Sequence, residues 1–195
     1  MKITTERLLL RPWEDSDAAN LYQYAKDSQV GPRAGWPPHT SQAQSLEIIQ
    51  TVLRDPYSFA VCLKESGEMI GAIGFHDSYS PHIHPENHEK ELGYWLGVPF
   101  WGQGLMPEAI EAMLAFGFEE LLLNAIWCGY YEGNEQSKRA QEKCGFTYHH
   151  TLENVDVPLL KEVRTEHFTR LTKEEWRSRR GKYNGPTHTI RSDVR

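Results

Sequence analysis

Leu96-Gly97-Val98-Pro99-Phe100-Trp101-Gly102-Gln103-Gly104-Leu105-Met106-Pro107-Glu108-Ala109 decides how the rest of this chain is read. Within it an apolar strand ends, a glycine-rich turn follows, and an amphipathic helix opens near Pro107. Gly102 and Gly104 permit a tight turn with accessible N–H groups, and the helix start adds unpaired amides and a positive dipole end. An anion is expected there. A lone Gly-x-Gly is more often a plain joint between strand and helix. The turn lacks the Gly-Lys-Ser/Thr of a P-loop and the third glycine of a dinucleotide fingerprint, which sets those two nucleotide sites aside.

Upstream of the turn, Thr5 to Arg11 reads as a first strand, Asp15 or Ser16 caps a helix to about Ala25, and Ser41 starts a second helix that ends before Pro56. Tyr57–Leu63 and Met69–Phe75 flank Glu65-Ser66-Gly67-Glu68 as a β-hairpin, and Glu89–Leu96 is the next strand. Its alternation puts Glu91, Gly93 and Trp95 on one side and Leu92, Tyr94 and Leu96 on the other. After the turn come a helix, a strand from Ala125 to Tyr131, a short helix from Glu135 to Cys144 stopped by Gly145, and strands over Phe146–Leu152 and Glu162–Leu171. The expected class is α/β (α+β): a mixed central sheet of about seven strands with helices on both faces.

The 195 residues suit one domain, expected over 1–176, with a basic, mobile tail over 177–195. That tail carries six basic residues and one acid, against a net charge of −6 for the whole chain. General nucleic-acid affinity is therefore unexpected, and a ribosome or nucleic-acid contact through the tail is a secondary alternative. No apolar run is long enough to cross a bilayer and no signal-peptide core follows Met1, so the expected address is cytoplasmic, with no membrane partner. Cys62, Cys128 and Cys144 are too scattered for a disulfide framework and read as buried thiols.

A second segment, Asn134-Glu135-Gln136-Ser137-Lys138-Arg139-Ala140-Gln141-Glu142-Lys143-Cys144-Gly145-Phe146, starts another helix about thirty residues after the turn. Together the two segments resemble the GNAT acetyltransferase superfamily. The family turn, Gln/Arg-x-x-Gly-x-Gly/Ala, falls on Trp101-Gly102-Gln103-Gly104-Leu105-Met106, with departures at its first and last positions. Those departures, the opening Thr5-Glu6-Arg7-Leu8-Leu9-Leu10-Arg11 and the strand Glu91-Leu92-Gly93-Tyr94-Trp95-Leu96 resemble the RimJ/RimL-like branch, which acetylates ribosomal-protein amino termini. The likeness runs over roughly residues 3 to 171. It implies a mostly antiparallel sheet with a splay between its two central strands.

The resemblance also implies acetyl-CoA as cofactor, coenzyme A as product and a primary amine as acceptor, whether a protein N-terminus or a small molecule. The amides of Gly102, Gln103, Gly104, Leu105 and Met106 would hold the pyrophosphate, with the Gln103 side chain near the more exposed phosphates. Backbone groups of Leu96 and Val98 would pair with the pantetheine arm as a missing strand would. Asn134 would bond that arm and Ser137 would donate to the departing sulfur. Read alone, Asn134 is an N-cap and Ser137 an ordinary helix residue. Gln141 stands where many members place a general-acid tyrosine, and a thiolate whose thiol has a pKa near 8.5 leaves without much help.

Glu91 is the candidate base, drawing a proton through one or two waters; its structural alternative is to bind a backbone N–H, Arg7 or Arg33. An α-amino group, with a pKa of about 8 against about 10.4 for lysine, needs only modest help. His76 and Asp77 could line an acceptor pocket walled by Trp36 and Tyr94. His82, His84 and His88 lack the spacing of a metal site, and no catalytic metal is expected. A sensor of acyl-CoA that does not turn over is the competing reading, and the chain is expected to be a monomer or homodimer.

Overall fold

The computed structural model describes residues 1–76, 88–182 and 189–191. Among the described residues nine strands form a single sheet in the order β7-β8-β6-β5-β4-β3-β2-β1-β9. They are β1 (Lys2–Thr4), β2 (Leu8–Arg11), β3 (Ser58–Leu63), β4 (Met69–His76), β5 (Glu89–Leu96), β6 (Ala125–Tyr131), β7 (Thr147–Val157), β8 (Glu162–Thr172) and β9 (Thr189–Arg191). Among the described residues only β5 and β6 pair in parallel. The helices are α1 (Ala18–Ala25), α2 (Gln42–Ile48), α3 (Leu105–Ala115), α4 (Glu135–Lys143) and α5 (Lys173–Lys182).

The two faces of the sheet carry separate apolar layers, because alternate residues of each strand point to opposite sides. Ile73 and Phe75 of β4, with Leu92 and Leu96 of β5, pack with Ala109, Ile110, Met113 and Leu114 of α3. Ala60, Cys62, Met69 and Ala72 pack on the other face with Leu21 and Ala25 of α1 and with Ile49 just after α2. All three cysteines are buried. Burial pushes the Cys62 thiol up to about 11 and that of Cys144 up to about 12, which keeps them inert near neutral pH.

Three parts differ from the sequence expectation. The strand expected from Thr5 to Arg11 begins only at Leu8: Thr5–Arg7 form the turn between β1 and β2, an antiparallel pair, with the Thr5 N–H on the Leu8 carbonyl at 2.9 Å. The extra strands beyond seven are this β1 and β9, which pairs with it. The boundary expected after Trp176 falls inside α5. Trp176 is 3% exposed against Phe118, and Arg179 reaches the Lys143 carbonyl and the Glu111 carboxylate, so the basic segment starts within the packed fold.

The splay follows from the register. β5 and β6 pair at Glu89↔Ala125, Lys90↔Ile126 and Glu91↔Trp127 and then part, although β5 continues to Leu96 and β6 to Tyr131. Glu91 is therefore the last paired residue before the gap, as its sequence position suggests.

Candidate functional site

Gly102 and Gly104 both hold φ of +74°, a left-handed conformation that side chains with a Cβ rarely adopt. Gly104 is the N-cap of α3, which opens at Leu105, two residues before Pro107. Pro107 has no N–H, and that of Glu108 bonds the Gly104 carbonyl at 3.2 Å, so Leu105 and Met106 present the helix's first unpaired amides. They meet the amides of a turn curled by two left-handed residues, an arrangement suited to a phosphate.

Residues a hundred positions upstream hold this cradle. The Glu108 carboxylate accepts from Thr5 Oγ1 at 2.6 Å, the Arg7 N–H at 2.8 Å and Arg7 Nε at 2.7 Å, while Arg7 Nη1 donates to the Gln103 carbonyl at 2.9 Å. Burial works to raise the Glu108 pKa, but these donors outweigh it and hold the group below the usual carboxylate range. The Thr5-Glu6-Arg7 motif thus forms the turn between β1 and β2 and braces α3. The Gln103 side chain turns back to the Pro99 carbonyl at 2.9 Å instead of outward toward a phosphate.

In β5 the backbone groups of Gly93, Trp95 and Gly97 belong to β4, as the Gly97 N–H on the Ile70 carbonyl shows. Those of Leu92, Tyr94 and Leu96 consequently face the gap. Cys128 Sγ takes the Leu92 carbonyl at 3.2 Å, and the Trp101 indole N–H takes one lone pair of the Leu96 carbonyl at 2.7 Å. Tyr94, not singled out for its backbone, offers both groups. Val98 lies beyond the strand in a 3₁₀ turn, its carbonyl bonded to the Trp101 N–H at 3.1 Å.

On the α3 side, α4 closes over the gap. Tyr94 Oη lies 2.9 Å from Ser137 Oγ, and the Gln141 side-chain amide donates to that Oγ and to the Gly129 carbonyl, each at 3.1 Å. Thr169 Oγ1 donates to Gln141 Oε1 at 2.7 Å, which completes the bonding of a side chain with no exposure. Gln141 is thus a brace between β6, β8 and Ser137. Burial pushes the Tyr94 phenol up, so it stays a neutral donor. Tyr94 therefore stands beside Ser137, across the sheet from Trp36 and not with it as a pocket wall. Asn134 caps α4, accepting from the Ser137 N–H at 3.3 Å, and its Nδ2 donates to the Arg33 carbonyl at 3.4 Å.

The opposite face holds the acidic end of the gap. His76 and Glu91 are direct cross-strand partners, and Glu91 is 7% exposed. Trp95 of the same face packs edge-on to Trp36, ring centroids 5.8 Å apart. The register carries this face through Trp127, Gly129 and Tyr131 of β6 to Arg170, Phe168 and Glu166 of β8. A Cβ at Gly129 would lie 2.7 Å from Glu166 Oε1, so the bare glycine leaves room for that carboxylate. Burial, then the charge of Glu91, pushes the Glu166 carboxyl up to about 7. Sequence reading missed Glu166, which a strand pattern alone does not distinguish.

Asp77, His82 and His84 lie outside the described residues. Among the described residues no three His, Cys, Asp or Glu side chains gather as a metal-ligand set, and no helix is long and apolar enough to cross a membrane.

Residues 7–147 match the family model of the acetyltransferase (GNAT) domain. The chain is 36% identical over 127 residues to "Uncharacterized N-acetyltransferase p20" of Bacillus licheniformis, covering 63% of this chain and 68% of that one. The crystal structure of a GNAT-family acetyltransferase from Bacillus anthracis superposes with a TM-score of 0.77 at 25% identity, over 89% of this chain and 99% of that one. Mycobacterium smegmatis RimJ in complex with CoA-disulfide shares the fold, with a TM-score of 0.71 at 21% identity over 90% and 88% of the two chains.

Proposed function

This chain belongs to the GNAT acetyltransferase family, and from that premise we propose that it moves an acetyl group from acetyl-CoA to a primary amine by direct attack. The reading rests above all on one observation: β5 and β6 stop pairing after Glu91↔Trp127, and the amide-rich start of α3 stands at the open end of β5. An amide-bearing arm fits a gap that exposes unpaired backbone groups, and a diphosphate fits the amides of Gly102 to Met106. The thioester would then lie beside Ser137 and Tyr94, whose hydroxyls can hand a proton to the departing sulfur. Glu91, at the mouth of the gap on the other face, would take the proton of the amine, with His76 and Trp36 bordering the acceptor. The acceptor itself is a protein N-terminus or a small amine.

The test is incubation with acetyl-CoA and a panel of peptide N-termini and small amines, followed by mass spectrometry and assay of released thiol. Acetylation of one class supports the reading. Tight coenzyme A binding with no transfer across the panel would make the protein a sensor of the same fold, and absence of binding would overturn both.

A further inference from the structure

We infer that the turn Gly31–Ala34 is a strap across the wide end of the gap, and that Arg33 is its clasp, holding the pantetheine arm of coenzyme A and setting how long the coenzyme stays bound. The inference rests on the acetyl-transfer reading of the same gap. β5 and β6 stop pairing after Glu91↔Trp127, so at the level of Trp95 and Tyr131 their backbones no longer join the two sides. The 3₁₀ turn Gly31–Ala34, in the connection between α1 and α2, makes contact with both.

On the β5 side it is tied twice. The Trp36 N–H closes the turn on the Gly31 carbonyl at 3.1 Å, and the Trp36 ring stands edge-on to Trp95. Gly31 admits that ring because it has no Cβ, which would lie 2.4 Å from the indole. Arg33 reaches past the strand: its guanidinium carbon lies 5.2 Å from the ring centroid of Trp101, the residue before the cradle. The Trp101 indole is itself fixed to the Leu96 carbonyl, which faces the gap.

On the β6 side the Arg33 carbonyl accepts from Asn134 Nδ2 at 3.4 Å, and Arg33 Nη1 donates to Gln136 Oε1 at 3.3 Å, both at the start of α4. The Pro32 carbonyl accepts from Arg164 Nη1 of β8. Gly35, at φ +88°, lies against Tyr131 at the end of β6, where a Cβ would come within 2.9 Å of Oη.

These ties differ in strength. Gly31 is buried and Trp36 and Gly35 are half-buried, whereas Arg33 and Gln136 are exposed and joined by a long bond to a neutral amide. A ligand can replace that bond at little cost. The carbonyl and hydroxyl oxygens of an amide-bearing arm are acceptors of the same kind, and the Trp101 face keeps the planar guanidinium in place while it changes partner. An arm running from the amides of Gly102 to Met106 toward Ser137 passes between Trp101 and the start of α4, the span that Arg33 crosses. Trp95 and Tyr94 point to opposite faces, so the strap covers the acceptor side at the wide end and leaves the acceptor to enter nearer Glu91.

The test follows release of etheno-coenzyme A, fluorescent at its adenine, by stopped flow against excess unlabelled coenzyme A, with affinities from calorimetry. Arg33→Ala should speed release about tenfold and weaken coenzyme A binding to a similar degree, as loss of a stacked, hydrogen-bonded guanidinium predicts. Arg33→Lys keeps the charge without the plane and should restore little of the loss. Gly35→Ala, which pushes the strap off Tyr131 and leaves the guanidinium intact, should act in the same direction. Adenosine diphosphate carries the diphosphate without the arm, and Arg33→Ala should leave its affinity within about twofold of wild type. Coenzyme A release and affinity unchanged in Arg33→Ala, or an equal loss for adenosine diphosphate, would overturn the strap alone. Wild type that binds no coenzyme A would overturn the proposed function together with it, so the two failures are told apart.

Discussion

Replacing Gln141 by leucine should cost roughly 2–4 kcal/mol of folding stability, and the structure says where the loss arises. Gln141 makes hydrogen bonds to the Gly129 carbonyl, to Ser137 Oγ and with Thr169 Oγ1, and leucine of similar size makes none of them. Two partners have a second bond to fall back on: Ser137 keeps Tyr94, and Thr169 keeps the Cys128 carbonyl at 3.3 Å. The Gly129 carbonyl has less recourse. At about 1 kcal/mol for each neutral bond, with a further ~1–3 for a polar group stranded away from water, the sum falls in that range. Urea unfolding monitored by circular dichroism would measure it, with an unchanged slope showing that the denatured state is the same. Thr169→Val removes one of the same bonds, so the double variant should lose about 1 kcal/mol less than the sum of the singles. Additive losses, or a Gln141→Leu loss under about 1 kcal/mol, would refute the brace.

Three further outcomes are expected. Gly104→Ala and Gly67→Ala each place a Cβ at a φ near +75° and should each cost about 1–2 kcal/mol, but only the first, in the cradle, should weaken coenzyme A binding by calorimetry. Glu166 binds its proton more tightly folded than unfolded, so the wild type loses stability as pH rises from about 4.5 through about 7. Glu166→Gln should match it near pH 4 to 5 and exceed it above pH 7, as thermal melts across that window would show. Trp176→Ala should destabilise by about 3–5 kcal/mol through lost packing on Phe118. Trp176→Phe should cost far less, because among the described residues the buried Trp176 indole N–H has no partner to lose.

Local pattern was enough for much of this molecule. Alternation announced β5 with Glu91 and Leu92 on opposite faces, two glycines announced a turn that only they adopt freely, and Pro107 marked the first turn of α3. These features depend on φ, on pleat period and on the missing N–H of proline, all properties of a residue and its immediate neighbours. The turn at Thr5–Arg7 was not legible, because Glu108, which holds it, lies about a hundred residues away. Nor was α5, whose buried Trp176 and whose Arg179 are secured by Phe118, Lys143 and Glu111. The room around Glu166 was decided the same way. Glu166 and Gly129 are unremarkable in sequence, and they come together only because β8 lies beside β6, where a glycine with no Cβ leaves space for the carboxylate, a proximity created by the register of strands and not by spacing along the chain.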